Sequence, residues 1–369
     1  MEISRQFVRQ KNPCTDGFRW FMRHFQEGAD YQPLLDALVA AGRVSDACWL
    51  MDQFGPTKAV LEVDALEAEA VVFAGSLLVH GPIEVDSVLR IGGSLRAESG
   101  IRVGRRLQVG EDLWAAGNVR SLGSLHVDGD VRADWNLLVA EGLDCGGDLR
   151  VGWDVEVGSE CTIGGQTTVG GDVAVGAALK CQSSLRVRGA LQVGGSAWAA
   201  QGIEVSQGIE VSEHLEASWG IVSGQSIVAG GAIKAGESLA AGEIIQAGEG
   251  YGIYAGLNVP VAVWEASAWV RDGKADAPRV VYTFSDANCP YCHKLHAEVP
   301  ALNKLGVEVR YVAFPRQGLG SPGDEQLQAV WCSADKKAAM DKMVDGKEIK
   351  SAKCANPVSK QFALGQSIG

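Results

Sequence analysis

A six-residue period dominates the middle of the chain. Stepping by six from Leu77, the series Leu77, Ile83, Leu89, Leu95, Ile101, Leu107 and onward runs to Leu257 without a slip. Of its 31 positions 27 are Leu, Ile or Val, the exceptions being Cys161, Thr167, Ala197 and Tyr251, so a repeat architecture governs this stretch. Two residues after each lies a second small or β-branched position, such as Val103, Val109, Val151, Val157, Val187, Val193 and Ala235. A polar residue usually stands between them and Gly commonly follows, as in Leu149-Arg150-Val151-Gly152. Two inward side chains around one outward side chain describe a short strand of period two. Gly then lets the chain turn a corner. Three strands and corners make a coil of about 18 residues, and ten such coils stack into a parallel β-helix about 50 Å long. No Pro occurs between Pro82 and Pro260, as expected where interior strands must donate to a ladder.

The flanks read differently. Asp30-Tyr31-Gln32-Pro33-Leu34-Leu35-Asp36-Ala37-Leu38-Val39 opens like a helix, with Asp at its start and Pro in the first turn. Val44 to Met51 reads as a second short helix before Gly55-Pro56. Residues 1–60 are therefore expected to be a helical cap on the exposed end coil. The β-helix is assigned to 61–265 and a polar linker, rich in the residues of Arg271-Asp272-Gly273-Lys274, to 266–278. Arg279-Val280-Val281-Tyr282-Thr283-Phe284 reads as a buried strand, Ser285-Asp286-Ala287-Asn288 as a turn, and His293 to Val299 as a helix.

Charge divides the chain in the same place. Residues 271–369 carry 14 Lys and Arg against 11 Asp and Glu, while the remainder carries 19 against 34. The overall net charge of -12 speaks against nucleic-acid binding. No apolar run of about 18 residues predicts a membrane span, and the N-terminus shows no apolar segment of a secretory signal. Within the repeat, His80, His126 and His214 stand apart from one another and read as ordinary surface or corner residues. Trp135 and Trp153, 18 apart, fall at one register of successive coils, a spacing that allows them to stack on an edge; they read as simple edge packing, with a partner-binding strip as the alternative. Cys145, Cys161 and Cys181 fall on inward registers and read as inert core thiols. Cys14 and Cys48 read as buried free thiols, with a disulfide as the alternative.

The chemistry concentrates in Cys289-Pro290-Tyr291-Cys292, between strand and helix, the arrangement of a thioredoxin-like redox site. Cys289 is expected at the helix start, where free N–H groups and the helix dipole favour a thiolate. Pro290 has no N–H to lose there. Cys292, three residues on, can reach back to the first sulfur. Cys289 is expected to be the accessible, more acidic thiol and Cys292 the shielded one. Tyr291 adds no charge between them, and His293 is a candidate for tuning the pair. The same residues also fit a c-type haem attachment pattern, a zinc site drawing on His293 and His296, and a purely structural disulfide.

Cys289 to His296, together with Val309-Arg310-Tyr311-Val312-Ala313-Phe314-Pro315-Arg316-Gln317-Gly318-Leu319, resembles the catalytic domain of the bacterial disulfide isomerases DsbC and DsbG. Ala329-Val330-Trp331-Cys332 and Cys354 match as well. The resemblance implies a thioredoxin-like domain over 279–369 and a structural disulfide between Cys332 and Cys354. It also implies thiol–disulfide interchange on protein disulfides, a redox partner protein, and a periplasmic location, with the cytoplasm as alternative. No cofactor beyond the redox disulfide and no metal are implied. Measured against the family, the chain stops before the cis-Pro loop, so the domain is expected to be C-terminally incomplete. The repeat itself is similar to hexapeptide-repeat enzymes and to bactofilin-like filaments, its hand staying open. The fold expected is thus multidomain: a parallel β-helix followed by a partial α/β thioredoxin-like domain. Two functions follow: thiol–disulfide interchange on a β-helical scaffold, or a non-enzymatic, self-associating β-helix with a vestigial redox domain.

Overall fold

The computed structural model describes residues 2–256, 270–274, 277, 279–347, 349 and 353–366. Two compact units divide the chain: residues 1–211 with 223–225, and residues 212–222 with 226–369. Among the described residues, no helix is long and apolar enough to cross a membrane.

The first unit opens with helices Arg5–Gln10, Thr15–His24, Tyr31–Ala40 and Val44–Phe54. Leu34, Leu35, Leu38, Leu50 and Met51 close a small core that also takes in Val72 and Ala74 of the first coils. The Gln32 amide donates to the Val72 carbonyl at 3.0 Å and accepts the Ala74 N–H at 2.9 Å. One side chain thus satisfies two backbone groups at the end coil, which would otherwise lack partners. Cys14 and Cys48 are both free, but neither is buried: Cys14 is exposed as the N-cap of Thr15–His24, and Cys48 is half-buried.

Beyond these helices the six-residue period becomes a parallel β-solenoid. Three sheets of eleven strands each are threaded in rotation, so that every third strand is a neighbour. Leu149 lies opposite Val131 on one side and Thr167 on the other, steps of 18 residues. Leu149 and Val151 are buried and Arg150 between them is exposed, the inward–outward–inward pattern of a three-residue strand. Cys145, Cys161 and Cys181 point into the same dry interior. Trp135 and Trp153 stack with centroids 6.1 Å apart on the outer surface. His80 sits between Glu62 and Glu98, and His126 between Asp128 and Asp144, hydrogen-bonded to them at the surface.

The corners work by two devices. A Cβ on Gly152 would lie 2.0 Å from the Asp134 carbonyl oxygen of the preceding coil. Gly is needed there because coils approach closely, not because it permits a positive φ. The second device is a ladder of Asp and Asn side chains. Asp112 Oδ1 accepts the Asp130 N–H at 2.9 Å, Asp130 Oδ1 accepts that of Asp148 at 2.8 Å, and Asp148 Oδ1 that of Gln166 at 2.8 Å. Asn118, Asn136, Asp154 and Asp172 form a parallel series. Each side chain serves a backbone donor one coil on. At a later corner the Nδ1 of His214 takes this role for the Ala232 N–H.

In the second unit the six-residue beat does slip. Ile253 pairs with Ile233 and Ala255 with Ala235, a step of 20 residues. The extra two residues are taken up in the turn at Gly248–Tyr251, where the Tyr251 N–H donates to the Gly248 carbonyl and Gly250 adopts φ +80°. Tyr251 is consequently exposed instead of inward. Leu257, the last position of the expected series, lies outside the described residues.

The α/β portion has a three-stranded sheet. Val307–Ala313 is central, parallel to Arg279–Ser285 and antiparallel to Val270–Asp272. Val270–Asp272 falls inside the stretch expected to be linker. It forms a strand because Val270 and Asp272 both face inward and Asp272 is neutralised by Lys337 at 3.3 Å and hydrogen-bonded by Asn303 at 2.8 Å. Helices Pro290–Lys304, Pro322–Cys332, Lys336–Val344 and Val358–Gln366 accompany the sheet. Tyr311, Leu327, Val330, Trp331, Met340 and Val358 form its core.

Candidate active site

The parallel strand Arg279–Ser285 delivers the chain to a short turn and then to the N-terminus of Pro290–Lys304. Cys289 is the N-cap of that helix and Pro290 its first residue. The Cys289 Sγ accepts the Cys292 N–H at 3.3 Å, so the sulfur takes the place of a Ser or Asp cap. Its own N–H donates to the Asp286 carbonyl at 3.3 Å. The Cys292 thiol, one turn inward, reaches toward the Phe284 carbonyl at 4.0 Å. Both thiols are free.

The two sulfurs differ in acidity. Burial opposes the Cys289 thiolate, but the Cys292 thiol, the N–H groups of Cys292 and Tyr291, and the Arg316 charge outweigh it. Its pKa lies below the ordinary thiol value. Burial pushes Cys292 up, and its hydrogen bond to the Cys289 sulfur pushes it further. The exposure order is the reverse of the expected one. Cys289 is 6% exposed and Cys292 half-buried, because Cys289 belongs to the turn that is folded back on Asp286.

The surrounding residues separate into those that face the pair and those that do not. Tyr291 is 77% exposed, with the Lys294 ammonium over its ring at 5.6 Å. His293 is half-buried and donates from Nε2 to the Ala287 carbonyl at 2.8 Å, bracing the turn. His296 is held by the Tyr311 hydroxyl at 2.6 Å and by Asp341 at 2.9 Å. Both histidines are thus engaged away from the two sulfurs. Among the described residues, no group of three or more His, Cys, Asp or Glu is placed to hold a metal. Cys332 and Cys354 are joined by a disulfide, their Cα atoms 5.6 Å apart.

Asp286 did not emerge from the sequence as more than a turn residue, yet it is buried. Its Oδ1 accepts the Asn288 N–H and its Oδ2 the Arg316 N–H, each at 2.6 Å. A buried carboxylate with two backbone donors is a structural clamp, and the loop it holds carries Arg316. The only sequence signal was Asp two residues before Asn in a turn, which by itself marks an Asx turn.

Residues 270–369 match a family model described as a thioredoxin-like domain. The C-terminal segment is a thioredoxin-like domain. Residues 1–55 match a second model, the YdhT N-terminal domain. The thioredoxin-like segment is similar to the thiol:disulfide interchange protein DsbC of Salmonella typhimurium, 44% identical over 94 residues, 26% of this chain and 40% of that protein. It is 43% identical over 90 residues to DsbC of Escherichia coli, 24% of this chain and 38% of that protein. A shorter stretch of 49 residues is 79% identical to the thiol:disulfide interchange protein DsbG of Pseudomonas aeruginosa, 13% of this chain and 19% of that protein. The chain spans about two fifths of the length of the DsbC proteins it matches.

Proposed function

We propose that this chain performs thiol–disulfide interchange at Cys289 and Cys292, with the β-solenoid as its scaffold. The observation that carries this reading is the placement of two free thiols one helical turn apart, with the Cys289 Sγ capping the helix and accepting the Cys292 N–H at 3.3 Å, an arrangement that favours the Cys289 thiolate over that of Cys292. The names of the similar proteins support it.

The Cys289 thiolate attacks one sulfur of a protein disulfide. A Cys289–substrate mixed disulfide forms and the other substrate sulfur leaves as a thiolate. In isomerisation a different substrate thiolate attacks the substrate sulfur bonded to Cys289, a new substrate disulfide forms and Cys289 departs as thiolate, with no net electron transfer. In reduction Cys292, deprotonated, attacks the Cys289 sulfur. The substrate is released as dithiol and Cys289–Cys292 is oxidised. An external dithiol then restores the pair. Substrates are accordingly disulfide-bearing proteins, and a redox partner protein supplies the dithiol. Pro290, Tyr291 and His293 shape the turn, and Cys332–Cys354 braces the domain. An oxidising compartment, the periplasm, suits a chain with such a disulfide.

Turbidimetric insulin reduction with dithiothreitol tests the proposal on the full chain. Acceleration that vanishes in Cys289→Ser supports it. No acceleration by the folded wild-type chain refutes it and leaves the scaffold reading, in which the solenoid acts without turnover.

A further inference from the structure

Asp286 and Arg316 come from segments 30 residues apart in sequence and meet beside the redox turn. Four hydrogen bonds and one ion pair make the junction. The Asp286 carbonyl accepts the Cys289 N–H at 3.3 Å. Asp286 Oδ1 accepts the Asn288 N–H at 2.6 Å. Asp286 Oδ2 accepts the Arg316 N–H at 2.6 Å and lies 3.5 Å from its guanidinium Nε. The Phe314 N–H donates to the Ser285 carbonyl at 2.9 Å. The loop bearing Arg316 is itself a tight turn, with the Gly318 N–H on the Pro315 carbonyl at 2.8 Å and Gly318 at φ +90°. The Asp286 side chain is 5% exposed, whereas that of Arg316 is 53% exposed. The acid is therefore the anchor, and the guanidinium is the group left at the surface.

We propose that Asp286 is a positioning residue for Arg316, and that Arg316, held beside the Cys289 turn, supplies the fixed positive charge that keeps the attacking sulfur ionised. The inference deepens the proposed interchange activity and concerns the same site. Its electrostatics are simple. A buried carboxylate near a thiol disfavours the thiolate by like-charge repulsion, so Asp286 alone works against Cys289. Arg316 offsets that charge and adds to the N–H groups at the helix start. Among the described residues, the charged and titratable groups on or next to the Cys289 turn include Cys292, Tyr291, Asp286, Arg316, His293 and Lys294. The helix whose Gly323 abuts Asn288 and Asp286 brings the buried Asp324, held by the Gly320 N–H and the Gln328 amide. His293 is engaged by the Ala287 carbonyl and Lys294 lies over Tyr291. Arg316 is the cation tied to the turn itself. The same charge would also receive a substrate thiolate as it leaves.

The test is the pH profile of Cys289 alkylation, read by mass spectrometry on the full, folded chain. Arg316→Gln should move the profile to higher pH. At pH 6 it should slow alkylation by about 3- to 10-fold, the effect of losing one nearby opposite charge. Above the thiol pKa the rates should converge. Arg316→Lys should recover most of the loss. Asp286→Asn separates the two roles. If Asp286 acts through Arg316, this variant moves the profile up when Arg316 is present and down in an Arg316→Gln background, where only the carboxylate's own repulsion is left to lose. If Asp286 is only a negative neighbour, the profile moves down in both. An unchanged profile in Arg316→Gln, or a downward move in Asp286→Asn, overturns the proposal. Near-native melting of Arg316→Gln is expected from its exposure and keeps the test readable if Asp286→Asn unfolds. Insulin reduction distinguishes this inference from the activity it rests on. A shifted profile in a chain that never reduces insulin preserves the pair and removes the activity; reduction with an unshifted profile does the opposite.

Discussion

Replacing Leu149 by Asp tests the register of the solenoid most directly. Leu149 is 1% exposed and lies between Val131 and Thr167 on neighbouring coils. Truncation alone, Leu149→Ala, should cost about 2–5 kcal/mol from lost burial and residual cavity. Leu149→Asp removes a similar apolar volume and adds a carboxylate among apolar neighbours, where the adjacent Thr167 hydroxyl already pairs with the Cys181 Sγ at 3.5 Å, so it should cost more. The group lowers that cost by staying protonated, which raises its folded-state pKa. A raised carboxyl pKa contributes least harm below the unfolded value of about 3.9 and most as pH climbs toward neutrality. Relative to wild type at the same pH, Leu149→Asp should therefore melt lower at pH 7 than at pH 5. Arg150 sits one residue away, its side chain 59% exposed and 2.7 Å from Asp148, and Arg150→Asp replaces that pair by two like charges at the surface. Breaking such an exposed pair costs about 1 kcal/mol or less. Because solenoids open locally, far-UV melting should be paired with maleimide labelling of Cys145 and Cys161 in nearby coils. Labelling should accelerate in Leu149→Asp and stay near wild type in Arg150→Asp. Equal losses from the two substitutions would refute the inward–outward assignment.

Removing Cys332 and Cys354 together should destabilise the thioredoxin-like domain by roughly 3 kcal/mol, the chain-entropy value for a loop of 22 residues; a denaturant midpoint unchanged from wild type would contradict this. In the native, reduced chain at pH 6, Cys289 should alkylate before Cys292, because its thiolate is the favoured one. Mass spectrometry finding Cys292 modified first would remove the basis of the assigned roles. Cys145, whose pKa burial pushes up to about 12, and Cys161, also raised by burial, should stay unlabelled until the solenoid is unfolded, whereas Cys14 at the surface should label at once.

The solenoid was legible because its determinants are local and repeated. Leu149, Arg150 and Val151 state inward, outward and inward within three residues, and the same statement recurs every six. What was illegible came from contacts between distant residues. Nothing near Asp272 announces that Lys337 and Asn303 will make its burial tolerable, so Val270–Asp272 read as linker. The two-residue slip before Ile253 was masked because another apolar residue, Tyr251, still falls on the expected position although the chain leaves the register there. Gly152 was placed correctly at a corner for the wrong cause, since coil proximity cannot be seen in one coil. At the redox site, Cys289 and Cys292 declare the helix start by their spacing. The exposure order did not follow from that spacing, because it depends on how the turn folds over Asp286. Asp286 and Arg316 stayed hidden for the same reason: their meeting is made by the pairing of two strands.

The Asp and Asn ladder bears on how such a chain changes length over evolutionary time. Each coil hands its corner carboxylate or amide to the next and receives one from the last, so a coil is a unit with one incoming and one outgoing bond of the same kind. Duplicating or deleting 18 residues anywhere between Asp112 and Gln166 rejoins a donor to an equivalent acceptor and leaves the apolar interior in phase. An insertion of six keeps the hydrophobic beat yet shifts every later strand to a different sheet and parts the ladder. Selection should therefore accept growth in whole coils, each adding about 4.8 Å, and reject the shorter insertions that the sequence period alone would allow. The gene segment encoding the solenoid is in this sense quantised in steps of 54 nucleotides, three per residue of a coil.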